Sequence, residues 1–139
     1  MNFLYFLKLY LSTAVVYFGV DMLWLGLTSK NFYAKYLGHL LAKEVNLLPA
    51  VIFYLLYVVG IIIFCVSPAL LVNRIGQAVF LGGLFGFFCY TTYDLTNFAT
   101  LKKWPLIVVL VDLAWGVFVS GLIAGISFLI GQKFLLRLP

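Results

Sequence analysis

Charged residues are scarce in this sequence, and their scarcity excludes an ordinary soluble domain. Only 9% of the 139 residues are charged, whereas 65% are hydrophobic. A soluble protein of this size could not bury so much apolar surface, and the exposed remainder would aggregate. A lipid bilayer removes that difficulty because lipid is the solvent for the outward faces. The composition therefore indicates an integral membrane protein.

Clusters that would bind nucleic acid or a metal ion are also missing. The formal net charge is +5, but no basic cluster is longer than the pair Lys102–Lys103, so no nucleic-acid partner is expected. Basic residues instead anchor helix ends near anionic lipid headgroups. The one histidine, His39, and the two cysteines, Cys65 and Cys89, show no metal-ligand spacing. We expect no metal site, and the sequence leaves the identity of any cofactor unknown.

Four long apolar runs are present, at about residues 3–27, 48–66, 75–98 and 105–130. Each is close to the roughly 20 residues that cross the hydrocarbon core as a helix. The connections after the second and third runs are short, so consecutive helices are predicted to be antiparallel neighbours. The predicted fold is all-α: a four-transmembrane-helix bundle that forms a single integral membrane domain over residues 1–139. Basic residues divide almost evenly between its two sides, which leaves the orientation open.

The segment at about residues 31–45 has a different pattern. Its apolar residues recur at helical spacing, while Lys35, His39 and Lys43 recur every four residues on another face. The pattern predicts an amphipathic helix between the first two spanning helices, lying in the headgroup plane. Whether His39 reaches a site in the bundle stays open.

Three of the four acidic residues fall inside the apolar runs. Asp21 lies six residues before Leu27, Asp112 six residues after Leu106, and Asp94 four residues before Phe98. These helix ends face the same side, so at 1.5 Å per residue the carboxyl groups are predicted roughly 6 to 10 Å inside that face. An ionisable group at such a depth costs about 3 kcal/mol and needs a partner or a water-filled cavity. The acids therefore predict a polar cavity that is open to one side.

Polar and aromatic side chains share helix faces with these acids. The predicted binding residues are Asp21, Asp94, Asp112, Tyr17, Trp24, Tyr90, Tyr93, Asn97 and Trp115. The motifs Asp21-x-x-Trp24 and Asp112-x-x-Trp115 are similar and lie in antiparallel helices. The similarity is explained by an inverted repeat, by chance, or by hydrogen bonding between a carboxyl group and an indole N–H. In the alternative interpretation, the acids pair with Lys30, Lys102 or Lys103 and only fix helix packing.

A long polar motif resembles a known family. The run Tyr90-Thr91-Thr92-Tyr93-Asp94-Leu95-Thr96-Asn97-Phe98-Ala99-Thr100-Leu101-Lys102-Lys103-Trp104-Pro105, followed by Asp112-Leu113-Ala114-Trp115-Gly116, is similar to the bacterial membrane-protein family called domain of unknown function 2177. The resemblance covers nearly the whole chain, including Asp21–Gly26 and Asn46–Ala50. Lys103 departs from the family pattern, in which a glycine precedes the Trp-Pro pair. The resemblance implies a small protein of the bacterial inner (cytoplasmic) membrane and supplies no activity.

Three functions are consistent with these residues. The first is binding or transport of a small polar or cationic solute, since a carboxyl group in a medium of low dielectric constant can exchange a proton for a cation. Four helices are few for a transport path, so transport predicts a homodimer, and Gly82-x-x-x-Gly86 and Gly121-x-x-x-Gly125 allow close packing within one chain or between two. The second is an intramembrane enzyme acting on lipid through a lateral opening. The third is a structural or accessory subunit with internal ion pairs and no cavity.

Overall fold

Four long helices make up the described part of the chain. The computed structural model describes residues 3–135 (side chains to residue 134), so residues 1, 2 and 136–139 of the predicted single domain lie outside it. Within this part there is no strand, and the helices are Phe3–Leu37, Leu47–Leu71, Ile75–Thr100 and Leu106–Leu135, called the first to fourth helices below. Each is long and apolar enough to cross a membrane. The prediction of an all-α, four-transmembrane-helix protein is confirmed.

The second helix continues beyond residue 66, where its apolar run was predicted to end. Pro68 lies inside the helix, which ends at Leu71, and it follows a π-helical turn over Ile62–Val66. A proline inside an α-helix lacks one N–H donor and clashes with the carbonyl four residues earlier. A π-helical turn shifts the hydrogen-bond register at that point, so the helix accommodates the ring and continues.

The predicted amphipathic helix over residues 31–45 is not confirmed. The first helix continues through a π-helical turn at Ser29–Tyr33 and a last α-helical turn at Ala34–Leu37, and residues 38–46 form turns and loop. The apolar side chains of the extension pack on the start of the fourth helix, where Leu37 joins Trp104, Val108 and Val109 in a buried cluster. This contact buries Leu37 and partly buries Phe32, Tyr33 and Tyr36.

Buried residues recur every four positions on the helices that build the core. In the first helix they are Tyr5, Leu9, Thr13, Tyr17 and Asp21. In the third they are Ala78, Gly82, Gly86 and Asp94. Most other large apolar side chains of the four helices are exposed, as expected of faces that contact lipid. The polar residues of the stripes consequently meet inside the bundle.

The turn before the fourth helix holds Lys103 in a backbone conformation that favours glycine. Lys103 has a φ of 62°, in the left-handed region, which costs about 1 to 2 kcal/mol for a residue with a Cβ atom. Glycine adopts this conformation freely but loses more chain entropy on folding. We expect Lys103→Gly to raise the free energy of unfolding by up to about 1 kcal/mol, measured as a higher melting temperature in detergent. Lys102→Gly, which removes the same charge, is the control. An equal rise in both variants would point to charge and not to backbone strain.

Candidate functional site

The third and fourth helices pack in a register that brings two acids together. A Cβ atom added to Gly82 would lie 2.6 Å from the Cβ of Ala124, one on Gly86 would lie 2.5 Å from Oγ of Ser120, and one on Gly116 would overlap the ring of Tyr90. The contacting pairs are thus Gly82 with Ala124, Gly86 with Ser120 and Tyr90 with Gly116. The residue number rises by four along the third helix and falls by four along the fourth from each pair to the next. The next step of this antiparallel ladder pairs Asp94 with Asp112, and the two carboxyl groups are neighbours.

Asp21 on the first helix is buried, and its carboxyl group accepts two hydrogen bonds from neutral donors. The hydroxyl of Tyr54 on the second helix donates to Oδ2. The indole Nε1 of Trp115 on the fourth helix donates to Oδ1 at 3.3 Å. Asp21 is therefore the point at which three helices are joined by polar contacts inside the bundle.

Asp112 on the fourth helix is hydrogen-bonded by side chains of the first helix. The hydroxyl of Tyr33 donates to Oδ1 of Asp112 at 2.5 Å, and the indole Nε1 of Trp24 donates to the same hydroxyl at 3.2 Å. Trp24 is thus linked to Asp112 through Tyr33, while Trp115 contacts Asp21 directly. The indole of each Asp-x-x-Trp motif is therefore linked by hydrogen bonds to the acid of the other motif.

The two tryptophans of these motifs lie against each other. The ring centroids of Trp24 and Trp115 are 4.2 Å apart, and the ring planes differ by 7°. The antiparallel arrangement of the first and fourth helices makes this pairing possible, since each motif presents its indole three residues after its acid. The echo between the motifs therefore has a structural role, in a stacked pair that connects two carboxyl groups.

Asp94 differs from the other two acids because its carboxyl group is fully buried, with an exposure of 0%. Its polar neighbours are the carboxyl group of Asp112 and the indole of Trp104. Among the described residues, neither carboxyl oxygen of Asp94 nor the indole Nε1 of Trp104 makes a hydrogen bond of normal geometry. A buried polar group without a partner costs about 1 to 3 kcal/mol, so such groups in a folded protein call for a functional explanation.

A cleft of about 630 Å³ opens above these acids. Its polar and aromatic lining residues are Asp21, Trp24, Ser29, Tyr33, Asn46, Phe53, Tyr54, Tyr90, Tyr93, Trp104, Asp112 and Trp115. Leu37, Leu41, Ala42 and Val45 line the side next to the loop over residues 38–46. The volume lies within the range of about 300 to 1,000 Å³ that is usual for small-molecule sites.

The structure brings most of the predicted binding residues to this cleft. Six of them line it: Asp21, Asp112, Trp24, Trp115, Tyr90 and Tyr93. Asp94 is buried beside Asp112 and does not line the cleft, nor do Asn97 and Tyr17, whose ring packs against Tyr57 with centroids 5.2 Å apart. His39 is exposed and also lies outside the lining. The common depth of the three acids in a bilayer stays a prediction.

Tyr33 was not predicted as part of the site, although it contacts Asp112. Tyr33 lies nine residues after Trp24, and at 100° per residue an uninterrupted α-helix would place the two on opposite faces. The π-helical turn over Ser29–Tyr33 changes that winding and turns Tyr33 toward the cleft. Tyr54 and Trp104 were also missed, because their roles depend on packing between helices.

No ion pair stabilises the acids within the described residues. Lys30, Lys102 and Lys103, which were the predicted partners in the packing interpretation, are all exposed. The hydrogen bonds to Asp21 and Asp112 come from hydroxyl and indole groups. The negative charge of any ionised carboxyl group here therefore has no basic side chain against it in residues 3–134.

Comparison with known proteins identifies the family of the chain. Residues 6–129 match the family described as "Predicted membrane protein (DUF2177)". No curated protein and no solved structure matches the chain. The match spans all four helices and includes every residue named above as lining the cleft. The chain therefore belongs to the DUF2177 family of membrane proteins.

Proposed function

We propose that the protein binds a small cationic group in the cleft, with Asp21 and Asp112 as its counter-charges. One observation carries the proposal: a stacked tryptophan pair lies between two carboxyl groups that have no basic side chain among their hydrogen-bond partners in the described residues. A carboxylate without a basic partner attracts a cation strongly when little water surrounds it. A bound cation would supply the positive charge that no side chain of the described residues provides next to Asp21 and Asp112.

The aromatic lining favours an organic cation over a bare metal ion. Trp24, Trp104 and Trp115 all line the cleft, together with Tyr90 and Tyr93. Aromatic faces attract a cation within about 6 Å of the ring centre, and quaternary ammonium groups are recognised in this way. Within the described residues no group of three His, Cys, Asp or Glu side chains is placed to hold a metal ion.

The packing away from the cleft supports binding more directly than passage across the membrane. The other half of the bundle is filled by fully buried side chains, among them Leu9, Ile61, Ile62 and Ile123. Transport would need a second conformation in which this half opens. In our proposal a homodimer would provide the longer path, and the protein acts in the bacterial inner membrane, as the family resemblance suggests.

The experiment is a thermal unfolding series in an uncharged detergent, with tetramethylammonium as the probe and sodium at equal ionic strength as the reference. A ligand that binds only the folded protein stabilises it by about 2.7 kcal/mol at one hundred times its dissociation constant. We expect the melting temperature to rise by several degrees for the wild type, and the rise to disappear in Asp21→Asn and Asp112→Asn.

Glu44→Gln is the matched control, since Glu44 is the fourth acid, is exposed and does not line the cleft. This variant removes the same charge and should keep the full rise. An equal rise in all variants, or none in the wild type, would overturn the proposal. The accessory-subunit interpretation would then be favoured, because the acids would serve only the contacts among helices.

A further inference from the structure

Next to the cleft is an apolar crevice between the second and third helices. The crevice has a volume of about 490 Å³ and is lined by Phe53, Tyr57, Cys89, Tyr90 and Tyr93. Three of these residues, Phe53, Tyr90 and Tyr93, also line the acidic cleft. The two spaces therefore adjoin each other at these three side chains, with the polar space beside the acids and the apolar space beside the lipid-facing surface.

The crevice exists because the second helix leans away from the third at one end. Residues Leu47–Ile61 pack mainly on the first helix, whereas the turn Ile62–Val66 packs on the third and fourth helices. Tyr57 closes the bottom of the gap, since its hydroxyl hydrogen-bonds Oγ of Ser120 at 2.7 Å and its ring contacts Phe85. Above Tyr57 the two helices separate, and the gap faces sideways.

The side chains at the opening are suited to contact with hydrocarbon. Phe53 and Tyr93 are 44% and 60% exposed, and both belong to helices that are apolar enough to span a membrane. Exposed aromatic residues on a spanning helix lie against lipid. A molecule that enters through this gap comes from the bilayer and has an apolar part.

We propose that the ligand is a cationic amphiphile, with its ammonium group in the acidic cleft and its hydrocarbon chain in the crevice. This inference rests on the proposed function and specifies its substrate class. The carboxyl groups and indole rings select the charged end, and the apolar walls accept the chain. The ligand reaches the site laterally from the bilayer, and it need not pass through the packed half of the bundle.

The test compares three probes on protein in micelles of an uncharged maltoside detergent. Tetramethylammonium carries the headgroup alone, dodecyltrimethylammonium carries headgroup and chain, and dodecyl sulfate carries a chain with the opposite charge. All three tryptophans of the protein line the cleft, so intrinsic fluorescence reports occupancy directly. We expect both cations to bind and the sulfate not to bind.

A variant with a blocked crevice distinguishes binding of the hydrocarbon chain from binding of the ammonium headgroup. Cys89 lines the crevice and not the cleft, so Cys89→Phe should weaken dodecyltrimethylammonium binding by about tenfold and leave tetramethylammonium binding unchanged. Leu95→Phe adds the same ring at a residue of the same helix that is 47% exposed and lines neither space, and it should bind both cations normally. Equal binding of the amphiphile by both variants would overturn the inference while leaving the proposed function intact.

A measurement on the wild type covers the case in which Cys89→Phe does not fold. The probe is dodecyltrimethylammonium brominated in the middle of its chain, because bromine quenches tryptophan fluorescence on close approach. We expect it to quench more than a brominated dodecyl sulfate at the same concentration in the micelle. Equal quenching would place the chain in the micelle alone and overturn the inference. Failure of both cations to bind would overturn the proposed function, and this inference with it.

Discussion

Gly86→Ala is expected to lower the free energy of unfolding by about 3 kcal/mol. An added Cβ would overlap the backbone carbonyl oxygen of Gly116 and come within 2.5 Å of Oγ of Ser120. Backbone atoms in two packed helices cannot move aside as a flexible side chain can, so the third and fourth helices would have to separate. Thermal unfolding in detergent measures the loss.

Gly83→Ala is the control for this substitution. Gly83 lies on the same helix, but an added Cβ would meet Val117 at 3.5 Å, an ordinary contact distance. Alanine has a higher helix propensity than glycine by about 1 kcal/mol, so this variant should be as stable as the wild type or slightly more stable. Equal destabilisation by both variants would show that the third and fourth helices are not packed in the described register.

The stripes that bury polar residues could be predicted from the sequence, because helical spacing alone determines which side chains share a face. Tyr17 and Trp24 were predicted to share a helix face with Asp21, and Tyr17 and Asp21 are buried. The placement of six predicted binding residues around one cleft follows from such faces. Local periodicity was sufficient here, since each helix was nearly regular over these residues.

Contacts that depend on irregular winding or on register between helices could not be predicted. The π-helical turn at Ser29–Tyr33 carries no clear sequence signal, yet it turns Tyr33 toward Asp112. The partnership of Asp94 with Asp112 required the ladder between the third and fourth helices, in which glycines set the separation. The extension of the first helix to Leu37 was missed because its apolar residues fit a separate interfacial helix equally well.

Asp94→Asn is expected to raise the stability of the protein by about 1 to 3 kcal/mol, the largest gain among the changes considered. The carboxyl group of Asp94 is fully buried, and neither of its oxygens makes a hydrogen bond of normal geometry among the described residues. Its neighbours are the indole of Trp104 and the carboxyl group of Asp112, and two carboxyl groups at close range cannot both ionise without repulsion. An asparagine of the same shape removes the repulsion and offers an N–H donor to Asp112 and its surroundings.

The same change at Asp21 should lower stability. Comparison of the two variants shows whether Asp94 serves helix packing or ligand binding. Asp21 accepts hydrogen bonds from Tyr54 and Trp115, so Asp21→Asn exchanges an acceptor for a donor there and should lower the melting temperature. If Asp94→Asn instead destabilises the protein as much as Asp21→Asn, Asp94 is a packing element. If it stabilises the protein and weakens tetramethylammonium binding, Asp94 acts on the ligand through its neighbour Asp112, and the chain retains an acid that lowers stability because binding depends on it.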